Sequence, residues 1–575
     1  MTVLHRLLVA ITPPWWSRYR LEFVGNDIIA GLIVALMLIP QGLAYATLAG
    51  MPPQYGLYAS LLPVVFYALL GSSSVMSVGP VAITSLLSAS ALTPLALADS
   101  NEYVLAAALL AFLSGAFLLA AGLLRLGALA QLLSHPVVTG FITGAAILII
   151  ISQLKPLLGV SASGDNTLVV VIHLVAALPQ TNLLAASIGV TGLFLLLFSR
   201  KNTVPLLLRA GVSPNLARTL QRLVPMLLLL SGAALVFVGK WHDDLQVIGA
   251  LPSGIPSFAL PELHADWFQE LWFPALIIGL LGFVESISIA QSFAQQKREP
   301  LDANAELRAL GAANIGSALA GGFPVTGGFS RTLVNAEAGA HSPLSGVFSA
   351  GFVLLALWFA TELFAFLPIT LLAATIISAA IQLVNASAFT HAWRYDRAEG
   401  GAMLGTALGV ILFGVEVGIG TGVALSIITL VWRTSRPHIA IVGRVPDTEH
   451  FRNVARHQVV TDPRVLMIRI DESLFFGNAE SVYAEITLAL GRYGKAQHLV
   501  LIMSSVSHID VTALEMLLHL DETLRPQGIT LHLAEVKGPV ADKLKESALP
   551  ARLEGEVFLT TYQAFQKLTT TSVQP

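Results

Sequence analysis

The chain has 575 residues, of which 55% are hydrophobic and only 12% charged, and its mean hydropathy is +0.74. A soluble globular domain carries about 25% charged residues, so this composition excludes an ordinary water-soluble fold and points to a polytopic membrane protein. The absence of cysteine excludes disulfides and thiolate metal sites, and a net charge of -3 is uninformative for so large a chain.

The amino-terminal stretch 1–20 has neither an apolar core nor a small-residue cleavage site of the secretory kind, so the amino terminus is expected to stay in the cytoplasm. Apolar segments then read at 28–47, 53–70, 79–92, 103–124, 128–154, 182–199 and 222–239. After a polar interval come 271–295, 307–321, 327–338, 343–361, 366–389, 400–414 and 417–432. That is seven followed by seven. Cytoplasmic loops are enriched in Lys and Arg, and the interval after segment six carries Arg200, Lys201, Arg209, Arg218 and Arg222 without a carboxylate. The interval after segment eight carries Lys297, Arg298 and Arg308, and that after twelve Arg394 and Arg397. All three fall inside if both ends of the fourteen-segment stretch are cytoplasmic.

An odd number of segments per half turns the second half upside down relative to the first, the inverted-repeat plan of many secondary transporters. Two short motifs occupy matching places. Segment three opens with SVGPVAITS (77–85) and segment ten with GGFPVTGGFS (321–330), each a Pro-Val among glycines and hydroxyls. From 437 onward charge returns to ordinary levels. VLMIRI (465–470), HLVLIM (498–503) and LHLAEV (531–536) read as strands, with amphipathic helices between them, so 437–575 is expected to be a small cytoplasmic α/β domain behind a transmembrane domain of 1–436.

Segments three and ten are too short to span a bilayer, which needs about 20 helical residues. As half-helices in an inverted repeat they would aim their N-termini, each with unpaired amides and partial positive charge, across one gap. Gly79, Pro80, Pro324, Gly327 and Gly328 mark the chain breaks in front of them. Arg331, in the first turn of segment ten, is a permanent cation where insertion costs roughly 2.5 to 3.5 kcal/mol, so it is expected to face the gap and attract a small anion. Either glycine motif alone is equally explained by tight helix packing. Thr326 and Ser330 can serve the site or cap their own helix.

In segment one, Pro40 frees a carbonyl, and Gln41 and Tyr45 share a helical face that could line the gap, the amide as donor and the ring as wall. Segment eight has one deeply placed carboxylate, Glu285, with Ser288 and Ser292 on its stripe. A carboxylate held away from water can bind and release a proton, which suggests coupling. The rivals are a static salt bridge to Arg331 and a sodium site, although Ile289 offers sodium no oxygen at the next turn. No phosphate-binding loop, metalloprotease motif, nucleophile elbow or dinucleotide fingerprint is present, so no enzyme, cofactor, metal or nucleic-acid function is expected.

At IPQGLAYATLAGMPPQYGLYAS (39–60), SVGPVAITS, VESISIAQSFA (284–294) and FPVTGGFSRTLVNAEAGAHSPLSG (323–346) the sequence resembles the SulP family of anion transporters, related to pendrin and prestin. RIDESLFFGNAE (469–480) and HIDVTALEML (508–517) resemble the STAS module that follows the membrane part in that family. The resemblance implies a 7+7 inverted repeat with a core of segments 1–4 and 8–11 and a gate of segments 5–7 and 12–14. It further implies a homodimer in the lipid bilayer, a bacterial plasma-membrane location and an elevator-type movement. Carried over, it places Gln41, Tyr45, Val81, Ala82, Phe329, Ser330 and Arg331 at the anion, with Glu285 and Ser288 for coupling to a proton or sodium ion. Val81 departs from the aromatic of animal members. In the STAS module Val511 follows Asp510 where anti-sigma-factor antagonists carry a phosphorylated serine. That excludes phosphate control at this position, leaves Thr512 as a remote candidate, and makes the module a packing element or a regulator's docking site. The expected function is secondary active transport of sulfate, bicarbonate or a dicarboxylate. The alternatives are an uncoupled channel or exchanger, a sodium-coupled symporter and, on the shared fold, a nucleobase carrier.

Overall fold

The computed structural model describes residues 15–16, 19–95, 97, 99–127, 134–161, 167–252, 254–261 and 264–570. The chain divides into two compact units, Met1–Ser426 and Ile427–Pro575. In order, the helices begin α1 (Val24–Leu48), α2 (Gln54–Tyr58) and α3 (Leu62–Leu70), followed by strand β1 (Val78–Gly79). Then come α4 (Ala82–Leu92), α5 (Ser100–Leu123), α6 (His135–Leu158), α7 (Thr167–Ala177), α8 (Leu183–Arg209) and α9 (Pro214–Gly239). The second half has α10 (Ala265–Lys297), α11 (Ala303–Leu319), strand β2 (Thr326–Gly327), α12 (Phe329–Glu337), α13 (Leu344–Phe359) and α14 (Thr361–Ala365). It ends with α15 (Ile369–Ile381), α16 (Ala386–Tyr395), α17 (Arg397–Phe413) and α18 (Val415–Thr434).

Each predicted apolar segment falls on helix, and seven helical stretches among the described residues are long and apolar enough to cross a membrane. The start of segment five, 128–133, lies outside the described residues. Three details differ from the sequence reading. Helix α7 was not expected, because its eleven residues are too few to satisfy a spanning-length criterion. Helices α8 and α9 run up to Arg209 and from Pro214, so Arg200, Lys201, Arg209, Arg218 and Arg222 stand on helix ends and not in a long loop. Segment twelve breaks into α15 and α16, where Asn385 Oδ1 accepts from the Ala388 amide and starts a new helix.

The packing has a repeating logic. Helix α13 lies on α1 and α10 lies on α5; α15 lies on α8 and α17 lies on α6; α3 meets α11 and α6 meets α15. Exchanging each segment of the first half for its counterpart in the second leaves this set of contacts unchanged. Helices α5 and α11 approach closely, since a Cβ on Gly311 would stand 2.6 Å from the Leu119 amide nitrogen. Backbones meet there directly, as small residues permit between helices that no aqueous hydrophobic effect drives together.

The second unit is a six-stranded sheet of order β4-β3-β5-β6-β7-β8, formed by β3 (Ile439–Arg444), β4 (Phe451–Asn453), β5 (Val465–Ile470), β6 (His498–Ile502), β7 (Thr530–Ala534) and β8 (Val557–Phe558). Strands β5 to β8 are parallel and β3 runs antiparallel to β5. Alternation along β5 decides which layer covers which face: Leu466, Ile468 and Ile470 pack with α19 (Ala479–Tyr493) and α20 (Val511–Leu524), while Val465 and Met467 pack toward Phe565 on the last helix, Thr561–Thr570. The three predicted strands are present. Strand β3 and the edge strands β4 and β8 were not foreseen, being short or lying outside the strand–helix alternation.

Candidate anion-binding site

The two short motifs meet. Strand β1 pairs antiparallel with β2, Val78 opposite Gly327 and Gly79 opposite Thr326, and the Gly328 amide donates to Ser77 O at 3.0 Å. The crossing is held from behind by side chains that the sequence reading did not single out. Ser286 Oγ lies 2.7 Å from Thr326 Oγ1 and accepts from the Gly327 amide at 2.9 Å. Asn314 accepts from the Val325 amide and donates to Val325 O, Thr332 Oγ1 accepts from the Ser77 amide, and Asn335 Nδ2 donates to Val75 O. The buried Glu306 carboxylate accepts from Tyr67 Oη, from the Ser72 amide and hydroxyl, and from the Ser73 amide, which anchors the approach to β1. A buried carboxylate so completely hydrogen-bonded is a structural pin.

From the crossing, α4 and α12 depart with eleven and nine residues, about 17 Å and 14 Å long at 1.5 Å per residue, against a hydrocarbon core of about 30 Å. Their N-cap residues are Val81 and Gly328, neither of which makes a side-chain cap. The first amides of both helices therefore have neither an intrahelical nor a capping partner.

Arg331 connects the two ends. It is only 1% exposed, and its Nη1 donates to Pro80 O at 2.7 Å and to Gln41 Oε1 at 3.1 Å. Its Nε and Nη2 have no partner among the described residues. The space for the guanidinium exists because residue 328 is glycine, since a Cβ there would lie 2.8 Å from Arg331 Nη2. Gln41 thus offers its oxygen to Arg331, whereas the sequence reading assigned its amide to the anion as a donor.

A cavity of about 520 Å³ adjoins this point. Gln41 and Tyr45 of α1 and Ser330 of α12 line it, together with Leu36, whose carbonyl loses its helical donor to Pro40. Its far wall carries Arg200, Arg218 and Arg222, and Arg222 forms an ion pair with Glu337 at the end of α12. Val81 and Ala82 are buried at the start of α4 and do not line this cavity, and the Phe329 ring is 55% exposed outside it. Glu285 is half-buried on α10 and forms neither an ion pair nor a hydrogen bond among the described residues, so the static bridge to Arg331 is not made. Ser288 and Ser292 return their hydroxyls to Val284 O and Ser288 O of their own helix, which leaves Glu285 without the expected polar stripe.

Residues 24–406 match the sulfate permease family and residues 456–567 match the STAS domain. The chain belongs to the sulfate permease family. Its members are transporters and not enzymes, and the second unit is the family's STAS domain. A probable sulfate transporter of Mycobacterium tuberculosis is 34% identical over 556 residues, covering 96% of each chain. Among solved structures, the murine solute carrier 26 family member A9 anion transporter, determined in the inward-facing state, superposes with a TM-score of 0.87 at 21% identity, over 98% of this chain and 95% of that one. The transmembrane domain of the cyanobacterial bicarbonate transporter BicA gives 0.58 at 22% identity, over 71% of this chain and 98% of that one. These two likenesses establish the fold.

In the STAS domain, Asp510 Oδ1 caps α20 through the Ala513 amide, and its Oδ2 accepts from the Phe476 amide. Val511 is 71% exposed beside it.

Proposed function

We propose that this member of the family is a secondary active transporter of a small inorganic oxyanion or carboxylate, of the sulfate, bicarbonate or dicarboxylate class. In this reading the anion sits between the N-termini of α4 and α12. One observation carries it: the buried Arg331 guanidinium bridges the two half-helices and keeps Nε and Nη2 without a partner among the described residues; Arg331 itself does not line the cavity, which its neighbour Ser330 lines with Gln41 and Tyr45. Two helix ends and one guanidinium concentrate positive charge at one buried point, which suits an anion with several acceptor oxygens. Sulfate and bicarbonate, for which two of the similar proteins are named, lie in this class.

The exchangeable contacts of the two halves support a 7+7 inverted repeat and an elevator movement, in which α1–α5 and α10–α13 travel against α6–α9 and α15–α18. The Arg200, Arg218 and Arg222 end of the cavity is assigned to the cytoplasm by the positive-inside rule, so this conformation faces inward and both termini are cytoplasmic. Glu285 is assigned the coupling proton because it is a deep carboxylate without a fixed partner. We further propose a transmembrane domain of 1–436, a cytoplasmic STAS domain of 437–575, a homodimer in a bacterial plasma membrane, and a cytoplasmic regulator docking on the STAS domain.

The test is uptake of labelled sulfate, bicarbonate, nitrate and succinate by purified protein in liposomes under imposed pH and sodium gradients. Accumulation of one of these driven by an inward proton gradient is expected. Flux that only follows the anion's own electrochemical gradient would replace this reading with an uncoupled channel, and accumulation driven by sodium alone would move the coupling ion. Competition by uracil or xanthine would favour a nucleobase carrier.

A further inference from the structure

A second cavity, of about 430 Å³, lies at the other end of α1. Its walls are the C-terminal turns of α1, α4 and α6, the start of α7 and the junction of α17 with α18. The arginine-lined cavity is built from α12, α15 and the α8–α9 pair, whose inverted counterparts are α4, α6 and the α17–α18 pair. Most of the helices around the two cavities are thus exchanged by the inversion, one cavity running along each half-helix, while α1 lines both and its counterpart α10 lines neither.

Only one charged side chain lines the second cavity, Lys155 in the last turn of α6. It is half-buried and makes no hydrogen bond or ion pair among the described residues, and no carboxylate among the described residues lines the cavity. Three of the hydroxyls around it are already committed, since Thr47, Thr93 and Ser152 donate to Ala44 O, Ala89 O and Ile149 O. Gln153 uses one amide hydrogen on Ser152 Oγ and keeps the other. A lysine whose role was only to reach the headgroups would extend away from the bundle; this one lines a cavity in which no described residue supplies a counter-charge.

We propose that the Lys155 cavity is a second anion station, which receives the small oxyanion from the side opposite the arginine-lined cavity before α4 presents it to the half-helix pair. The inference rests on the transport reading above, including its orientation, which makes this the external side. Lys155 supplies the full charge and the Gln153 amide a second donor, a weaker set than the guanidiniums within. That ordering suits a site that must capture and release.

The experiment compares right-side-out and inside-out membrane vesicles carrying wild-type protein, Lys155→Gln or Lys155→Arg, using whichever of labelled sulfate, bicarbonate, nitrate or succinate the wild type moves fastest. Lys155→Gln is expected to raise the half-saturating concentration about tenfold in right-side-out vesicles, the worth of one charge-assisted contact, and by less than twofold in inside-out vesicles. Lys155→Arg should stay within threefold of wild type on both sides. Unchanged external affinity in Lys155→Gln would overturn the station. So would an equal loss on both faces together with a lower melting temperature, because that pattern belongs to a lysine that merely offsets the carbonyl end of α6. A wild type that moved none of these anions would instead overturn the transport reading itself.

Discussion

Arg331 on α12 donates to the backbone carbonyl of Pro80, two residues before α4 begins, so the cation of one half-helix is tied to the entrance of the other. The carbonyl has no helical donor available to it there, and the guanidinium reaches it without losing Nε and Nη2 to the protein. This separates two roles that one arginine can play. Nη1 ties the two half-helices together, and the remaining edge, without a partner among the described residues, is the one the proposed site gives to the anion.

Removing the guanidinium should therefore be costly for binding and cheaper for the fold. Arg331→Ala is expected to weaken anion binding by about 10- to 100-fold, the range for a charge-assisted hydrogen bond worth about 1.5 to 3 kcal/mol. Arg331→Lys should recover only part of this, because a point charge lacks the fork that satisfies Pro80, Gln41 and a ligand together. Anion-dependent thermal stabilisation of purified protein checks both. Full-strength stabilisation in Arg331→Ala would remove Arg331 from the site.

Gly328→Ala tests whether position matters as well as charge. The added Cβ would stand 2.8 Å from Nη2, closer than real contacts allow, so the guanidinium must move. The backbone at Gly328 (φ -94°, ψ 122°) is ordinary for alanine, so no conformational strain accompanies the change. Expression and monodispersity near wild type, with half-saturation for the anion raised severalfold, are expected from vesicle uptake. Wild-type kinetics would show that the guanidinium can shift freely.

Much of this site was legible in the sequence for one reason: a permanent charge and a Pro-Val break are conspicuous in apolar sequence. Arg331, and the pairing of 77–85 with 321–330, could be found that way. Ser286, Asn314, Thr332 and Asn335 could not, because hydroxyls and amides are common in membrane helices and some of their partners lie far along the chain, about 260 residues away for Asn335. The only available hint was that polar side chains in apolar helices need partners. Ser288 shows how the same rule misleads, since its partner turned out to be its own helix. Helix α7 escaped because hydropathy detects spanning length, and the helical register of Arg200 and Arg218 escaped because polar sequence between segments reads as loop.

Glu285 is exposed to a sharper test once the salt bridge is absent. Glu285 and Arg331 interact electrostatically but form no direct ion pair, so Glu285→Gln removes a protonatable group without breaking a salt bridge. The variant is expected to keep anion exchange within about threefold of wild type, since exchange leaves the coupling group in one state throughout, and to lose accumulation driven by a pH gradient. Counterflow and gradient-driven uptake in the same liposomes measure the two. Proton-driven accumulation that survives would assign coupling elsewhere.

The STAS domain carries its own pH dependence. His532 on β7 accepts from the Glu556 amide at Nδ1, which places its proton on Nε2, 3.2 Å from His498 Nδ1. Burial, reinforced by the neighbouring His498, pushes the His532 imidazole down from 6.5 to about 4, and burial lowers His498 as well. Because the folded state disfavours the proton, the unfolded chain binds more protons between those values. The contribution to stability is complete above about 6.5 and is lost as pH falls toward 4. Amide exchange of Leu531–Ala534 in the full-length protein, corrected for intrinsic rates, should show lower protection at pH 5 than at pH 7.5. His532→Gln, which cannot titrate, should flatten the difference at the expense of a lower baseline. Equal protection of the wild type at both pH values would mean that the histidine pair is not what limits this sheet edge.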